Sequence, residues 1–448
     1  MKTLSSLRTP LSFIAAGALA LTFAACFGPY VCGIRMEFIL FAFTLVGVAS
    51  IHTHTLWVAL TGLATVTAYK VGFAGFSEGA GFAGLAFHMG HHWVILVNLL
   101  CLLTGFAILS NHFEKSNVTD LLPRFLPTGW KGGLVLLFMV FVLSSFLDNI
   151  AAALIGAAMA NQLFKGRVHI GFLAAIVAAS NAGGSGSVVG DTTTTMMWID
   201  GIPPTNVFHA YVAAVAALLF CGYFAAKQQF AYSPIVTGGR AATKVDWARI
   251  GIVGLILVMA IVVNMTVNLR FNDVSDLFPF LGAAVWAAIL ISAPIRRHEW
   301  EIMPETLKGS LFLLSLVTIA SMMPVEELPK ASWVSALVLG FVSAVFDNIP
   351  LTALAINQGG YDWGMLAYSV GFGGSMIWFG SSAGVALSSK FPEARSTMKW
   401  LKNGWHVTAA YVIGFAVLLF VVGWHPAAPH KVERNSTPAA QVEPAETK

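Results

Sequence analysis

Three aspartates stand where water should be scarce. Asp148 lies in SSFLDNIAAAL, Asp347 in SAVFDNIPLTAL about 200 residues later, and Asp191 in GGSGSVVGDTT, each inside a long apolar run. A carboxylate at the centre of a membrane costs about 3 kcal/mol on insertion scales, so three are not there by accident. Their chemistry is the binding of protons and hard cations. Carboxylates close together do not all ionise readily, and a bound Na⁺ or Li⁺ favours the ionised form and releases the proton. Asp148 and Asp347 are the candidate Na⁺ ligands, with Asp191 titrating or sharing the site. Further oxygen ligands are on offer from Asn149, Asn348, Ser185, Ser187, Thr192, Thr193, Ser381 and Ser382. The competing reading makes each aspartate a helix cap and each hydroxyl a helix-packing group.

The elements that would hold these residues are membrane helices. The chain has 448 residues, 57% hydrophobic and 10% charged, against about a quarter charged in soluble domains. Apolar segments fall at 11–30, 37–52, 54–69, 93–110, 132–160, 170–198, 207–226, 250–268, 277–293, 309–323, 332–358, 364–388 and 403–424. These are spanning helices rather than the short alternating strands of an outer-membrane barrel. The expected fold is an all-α polytopic membrane protein.

Segments 132–160 and 332–358 are too long for a simple crossing and carry polar residues at mid-length, so each reads as a re-entrant helical hairpin. Eleven crossings remain. With the N-terminus inside, loops 1–10, 110–131, 161–169, 227–249, 294–308 and 390–402 hold 18 of the 25 Lys and Arg, a clear positive-inside bias. A single crossing at 132–160 would switch every later loop and erase that bias. The two halves repeat: DNI at 148–150 precedes GGSGSVVGDTT at 183–193, and DNI at 347–349 precedes GGSMIWFGSS at 373–382. By this topology one hairpin opens inward and the other outward, an inverted repeat. Residues 1–35 are a first span or signal sequence, 36–226 and 250–424 the two repeats, 227–249 a cytoplasmic linker, and 425–448 a polar tail of disordered composition.

Helix breaks in a membrane are tolerated only where they line a site or lie buried in protein. Gly183, Gly184 and Gly190, with Gly373, Gly374 and Gly380 in the second half, are the expected hinges, where a missing Cβ lets the chain unwind. Pro350 suits the first turn of a new helix. The four cysteines lack CxxC spacing. The one histidine cluster, HMGHH at 88–92, reads as an interfacial segment in preference to a metal site. No cofactor is expected, and no GxxxxGK loop is present for ATP.

FLDNIAAAL, AASNAGGSGSVVGDTTTTMMW, VFDNIPLTAL, GFGGSMIWFGSSAGVAL and MKWLKNGWHVTAAYVIGF together resemble the NhaD-type sodium/proton antiporters, which share the ion transporter superfamily with arsenite permeases and citrate or dicarboxylate carriers. The likeness covers about residues 90 to 424. It implies two inverted repeats, each with a hairpin and a broken helix, often in a homodimer in the inner membrane. It carries the family's intramembrane Asp onto Asp148, Asp191 and Asp347, and its Asn onto Asn149, Asn181 and Asn348. The function implied is exchange of Na⁺ or Li⁺ for H⁺, with the bilayer and a small ion as partners and no nucleic acid.

Two rivals remain open at this stage. Uptake or efflux of citrate, a dicarboxylate or arsenite would rest on helix N-termini and amides, since no intramembrane Lys or Arg is present. The superfamily's carboxylate carriers have Ser-Asn-Thr at the hairpin tips, where this chain has Asp-Asn-Ile, which places like charge against an anion. An intramembrane aspartyl protease is the second rival, but VVGD at 188–191 lacks the first glycine of GxGD.

Overall fold

The computed structural model describes residues 2–51, 54–118, 126–187, 190–235, 244–271, 274–275 and 277–427. The tail expectation for 428–448 and the middle of the linker, 236–243, lie outside those residues. Helices carry the fold; among the described residues the one sheet is a two-residue pair, β1 (Tyr30–Val31) with β2 (Ile34–Arg35).

The chain opens with α1 (Lys2–Phe27), α2 (Met36–Ser50), α3 (Thr55–Tyr69) and α4 (Gly81–Lys115). A first hairpin follows, α5 (Trp130–Ser144) and α6 (Asn149–Leu163), then the interrupted pair α7 (Ile170–Gly184) and α8 (Thr192–Ile199). The short α9 (Thr205–Phe208) leads into α10 (Ala210–Tyr232). The next helices are α11 (Trp247–Arg270), α12 (Phe280–Ser292) and α13 (Met303–Ser321). The hairpin-then-break order then recurs as α14 (Trp333–Ser343), α15 (Asn348–Gln358), α16 (Trp363–Gly373) and α17 (Ser382–Lys390), before α18 (Thr397–Asn403) and α19 (Trp405–Val421).

The result is an all-α polytopic membrane protein. By length and composition, five helical runs among the described residues can cross a membrane alone, and α18 with α19, bent by 60°, makes a sixth. That is fewer than the eleven crossings expected, because several apolar segments are interrupted or short. A 15-residue helix such as α2 rises only about 22 Å against a hydrocarbon core of about 30 Å. One boundary moves further: the segment expected at 93–110 begins at Gly81 and runs 35 residues. HMGHH therefore lies inside α4, near its N-terminal end. There His88 is buried and bonds Ser321 Oγ at 3.0 Å, tying α4 to α13.

Two groups of helices emerge from the packing. α4 packs on α11, α12 and α13, and α3 joins α13 to α1 and α2. The hairpins, broken helices, α10 and α19 form the other group, with α5 on α7 and α10, α14 on α16, and α10 on α19. Within it the repeats interleave: α6 of the first hairpin lies on α17 of the second break, and α15 lies on α8 of the first. α7 and α16 are buried along nearly their whole length, as the spine of such an assembly must be.

Candidate functional site

Each break begins a new helix on a side chain that accepts a backbone hydrogen. Asp148 caps α6 through Ile150 N at 3.1 Å, and Asp347 caps α15 through Ile349 N at 3.3 Å. Asp191 caps α8 through Thr193 N at 3.4 Å, and Ser381 caps α17 through Gly384 N at 3.3 Å. Short polar side chains take this position because they satisfy donors that the first helical turn leaves unpaired. The capping reading is therefore correct as geometry, but capping does not require charge, since Ser381 performs it without one.

Asp191 is the centre of the arrangement. It is 2% exposed. Its carboxylate accepts from Thr193 Oγ1 at 2.9 Å, from Asn149 Nδ2 of the first hairpin at 3.5 Å and from Asn348 Nδ2 of the second at 3.4 Å. Asn149 also donates to Asn181 Oδ1 at 3.0 Å, and Asn181 donates onward to Ser375 Oγ at 2.9 Å and Ser381 Oγ at 3.2 Å. One hydrogen-bonded network thus joins both hairpin tips and both breaks. Asp148 and Asp347 are only partly buried.

A cavity of about 710 Å³ reaches this network from one side, between it and α4 with α13. Asp148, Asn149, Asp191, Thr192, Asn348 and Ser382 line its inner end. Asp347 stands one bond behind the lining, its Oδ2 accepting from Ser382 Oγ at 3.0 Å. Glu114, Glu299, Glu301, Glu305 and Lys390 form the mouth, and they fall in segments 110–131, 294–308 and 390–402.

Most of the residues singled out in the sequence converge here, with two kinds of exception. Ser185 spends its hydroxyl on Ala182 O at 2.8 Å, and Ser187 on Ser145 O at 2.7 Å, so both hold the first break together. Asn181 and Ser381 sit behind the lining and position others. Ser375 was missed, although the repeat sets it opposite Ser185. The glycines have a different cause from the one expected. None of Gly183, Gly184, Gly190, Gly373, Gly374 and Gly380 has the positive φ that favours glycine. They allow close approach instead: a Cβ on Gly183 would run into the Phe141 carbonyl, and one on Gly373 would meet the Gly340 backbone, with Cα at 2.7 Å. The breaks are packed joints.

Outside the membrane segments two carboxylates are fixed by partners. Asp362, which caps α16 through Met365 N, is pushed up by burial. His209 Nε2 at 2.6 Å and the amides of Met365 and His425 outweigh that and hold it below the usual carboxylate range. Asp246, capping α11, is lowered chiefly by its hydrogen bond from Arg296 Nε at 2.9 Å. Among the described residues no group of three or more His, Cys, Asp or Glu could hold a metal ion.

No family model matches the chain. Curated relatives do. Sodium/proton antiporter 1 of Arabidopsis thaliana is 26% identical over 330 residues, covering 64% of this chain and 55% of that protein. Sodium/proton antiporter 2 of the same plant is 26% identical over 296 residues, covering 56% of this chain and 68% of that protein. The Na⁺/H⁺ antiporter NhaD of Alkalimonas amylolytica is 24% identical over 332 residues, covering 63% of this chain and 68% of that protein. The match thus spans little more than half of the first relative. In sequence the chain is similar to sodium/proton antiporters, proteins named NhaD among them.

Proposed function

We propose that this protein is a secondary transporter exchanging Na⁺ or Li⁺ for H⁺ through Asp148, Asp191 and Asp347. One observation carries the reading: a buried carboxylate, Asp191, is held by asparagines from both hairpins at the inner end of a cavity that Asp148 also lines. The relatives, named as sodium/proton antiporters, support it. Hard cations take oxygen ligands, and carboxylates with amide and hydroxyl oxygens supply them. A cation entering the cavity competes with protons for the same carboxylates. A proton arriving from the other side displaces it, so one gradient drives the other with neither ATP nor a cofactor.

The anion reading loses ground for a physical reason. Helix N-termini are anion sites, but at α6, α8 and α15 that place is already filled by the protein's own carboxylates. An incoming citrate would meet them as like charges.

The basic loops support an orientation with the N-terminus in the cytoplasm of an inner-membrane protein, so the cavity opens inward. The recurring hairpin-and-break order supports two repeats of opposite orientation, and the resemblance supports a homodimer.

The test uses everted vesicles from cells that make this protein and lack their own antiporters, loaded with a pH-sensitive dye. Addition of NaCl or LiCl should move protons, KCl and citrate should not, and Asp347→Asn should abolish the response while inserting normally. Citrate or arsenite accumulation with no cation response would overturn the proposal.

A further inference from the structure

Where the end of α10 meets the start of α5, cations and aromatic rings gather away from the cavity. Lys227 Nζ lies 4.3 Å from the centre of the Tyr223 ring and 5.7 Å from that of Trp130, and it donates to the Tyr223 hydroxyl. Trp130 itself meets Tyr223 edge-on at 5.4 Å. Lys131, next to Trp130 in the first turn of α5, is exposed. At the last residue of α10, the Tyr232 ring carries the Arg167 guanidinium of the loop joining α6 to α7, at 5.4 Å. Lys165 of that loop is exposed as well.

These cations are uncompensated. α5 holds no Asp or Glu, and neither do 149–190 and 201–245. Among the described residues, none of Lys131, Lys165, Arg167 and Lys227 makes an ion pair. Trp and Tyr rings at helix ends mark the level where hydrocarbon gives way to headgroups. Trp405 against Phe224, at 5.1 Å, extends that belt to α19. From Tyr223 the exposed side of α10 continues as Leu219, Val215 and Val212, at helical spacings of three and four that keep them on one face. α5 runs along this helix, drawn close where a Cβ on Gly222 would meet Leu134 Cδ1 at 2.8 Å and one on Gly133 would meet Ala226 Cβ at 3.4 Å. An apolar track therefore leads along α10 to a pair of ammonium groups.

We propose that the α5–α10 seam binds an anionic phospholipid, its phosphate against Lys227 and Lys131 and an acyl chain along Leu219, Val215 and Val212. An ammonium group has three donors, so Lys227 keeps two for phosphate oxygens after its bond to Tyr223. The rings of Trp130 and Tyr223 hold its stem in place. Basic residues beside a membrane surface attract anionic lipids, and a zwitterionic lipid brings an ammonium of its own against the same lysines. A soluble acidic partner would meet the lysines but leave the apolar track uncovered. The site stands whichever ion the cavity carries.

Native mass spectrometry of the purified full chain tests it, with phosphatidylglycerol, phosphatidylethanolamine and inorganic phosphate as probes. Wild type should retain phosphatidylglycerol several-fold better than phosphatidylethanolamine of the same acyl chains. The double variant Lys131→Gln/Lys227→Gln should lose that preference, at about fivefold for each lysine near an anionic headgroup. Lys399→Gln/Lys402→Gln removes the same charge from exposed positions on α18 and should leave the preference intact. Size-exclusion profiles check that each variant is folded. Equal retention of the two lipids by wild type, or an undiminished preference in the first double variant, overturns the site. An equal loss in the α18 variant also overturns it, since net charge alone would then govern retention. Displacement of the lipid by millimolar inorganic phosphate would make the ligand a free anion and overturn the assignment to lipid.

Discussion

Asp191→Asn separates the two roles of that side chain, since it removes the charge and keeps the cap. Asparagine caps a helix about as well as aspartate, so Thr193 N keeps its acceptor and α8 keeps its start. What changes is the second oxygen, which accepts from Thr193 Oγ1 at 2.9 Å and from Asn348 Nδ2 at 3.4 Å. An amide nitrogen there loses the Asn348 bond, while the Thr193 hydroxyl can turn to accept. Losing a hydrogen bond to a charged group costs about 1.5–3 kcal/mol, tolerable in a helical core of this size. Cation binding suffers more. A unit charge about 4 Å from a cation contributes about 4 kcal/mol at an effective dielectric of 20, or about a thousandfold in affinity. Exchange should vanish at millimolar Na⁺ and return, if at all, only near molar concentrations. The assay is the Na⁺ dependence of proton movement in everted vesicles, paired with size-exclusion profile and thermal midpoint of the purified variant. A variant that folds and exchanges with unaltered half-saturation would refute the reasoning, because Asp191 could then contribute no charge to the bound ion.

Other substitutions test the joints. Gly183→Ala forces a methyl into the Phe141 carbonyl and within 3.0 Å of Ser144 Cβ; at a cost of about 1–3 kcal/mol or more, the yield of folded protein should drop. Gly371→Ala places Cβ 3.2 Å from Asp191 Oδ2 and 3.7 Å from Ser185 Cβ. That variant should fold, and the displaced carboxylate should weaken apparent Na⁺ affinity by about tenfold, ~1.4 kcal/mol. Asp362 is lowered from an ordinary value of 3.8, so its contribution to stability is present above that value and lost as pH falls through its lower folded value. The gap in thermal midpoint between wild type and Asp362→Asn should hold from pH 7 to about 4 and close below.

The sequence announced the hairpins and breaks because a charged residue in an apolar run has few structural excuses. Asp148, Asp191 and Asp347 were located on that ground alone, and each is an N-cap at a break. The partners were not legible. Asn348 reaches Asp191 across 157 residues and Asn181 reaches Ser381 across 200, and no local pattern encodes such pairings. The glycines were found for a reason that fails, since unwinding and close packing select the same residue and only coordinates separate them. Apolar composition continues through a break that backbone hydrogen bonding does not, so there are fewer unbroken helices long enough to cross alone than there are apolar segments.

The convergence of four helix starts has an electrical consequence. α6, α8, α15 and α17 all begin at the site, and each N-terminus carries roughly half a positive charge from its aligned peptide dipoles. Together they offset about two of the three negative charges on the ionised aspartates, leaving the empty site near −1. Under the proposed function, one monovalent charge, sodium or proton, would neutralise it, and a second would overload it. Occupancy by the two ions would then be mutually exclusive. On the proposed exchange reading, the net charge of the unloaded site is penalised by the low dielectric around it, which would disfavour a cycle without cargo.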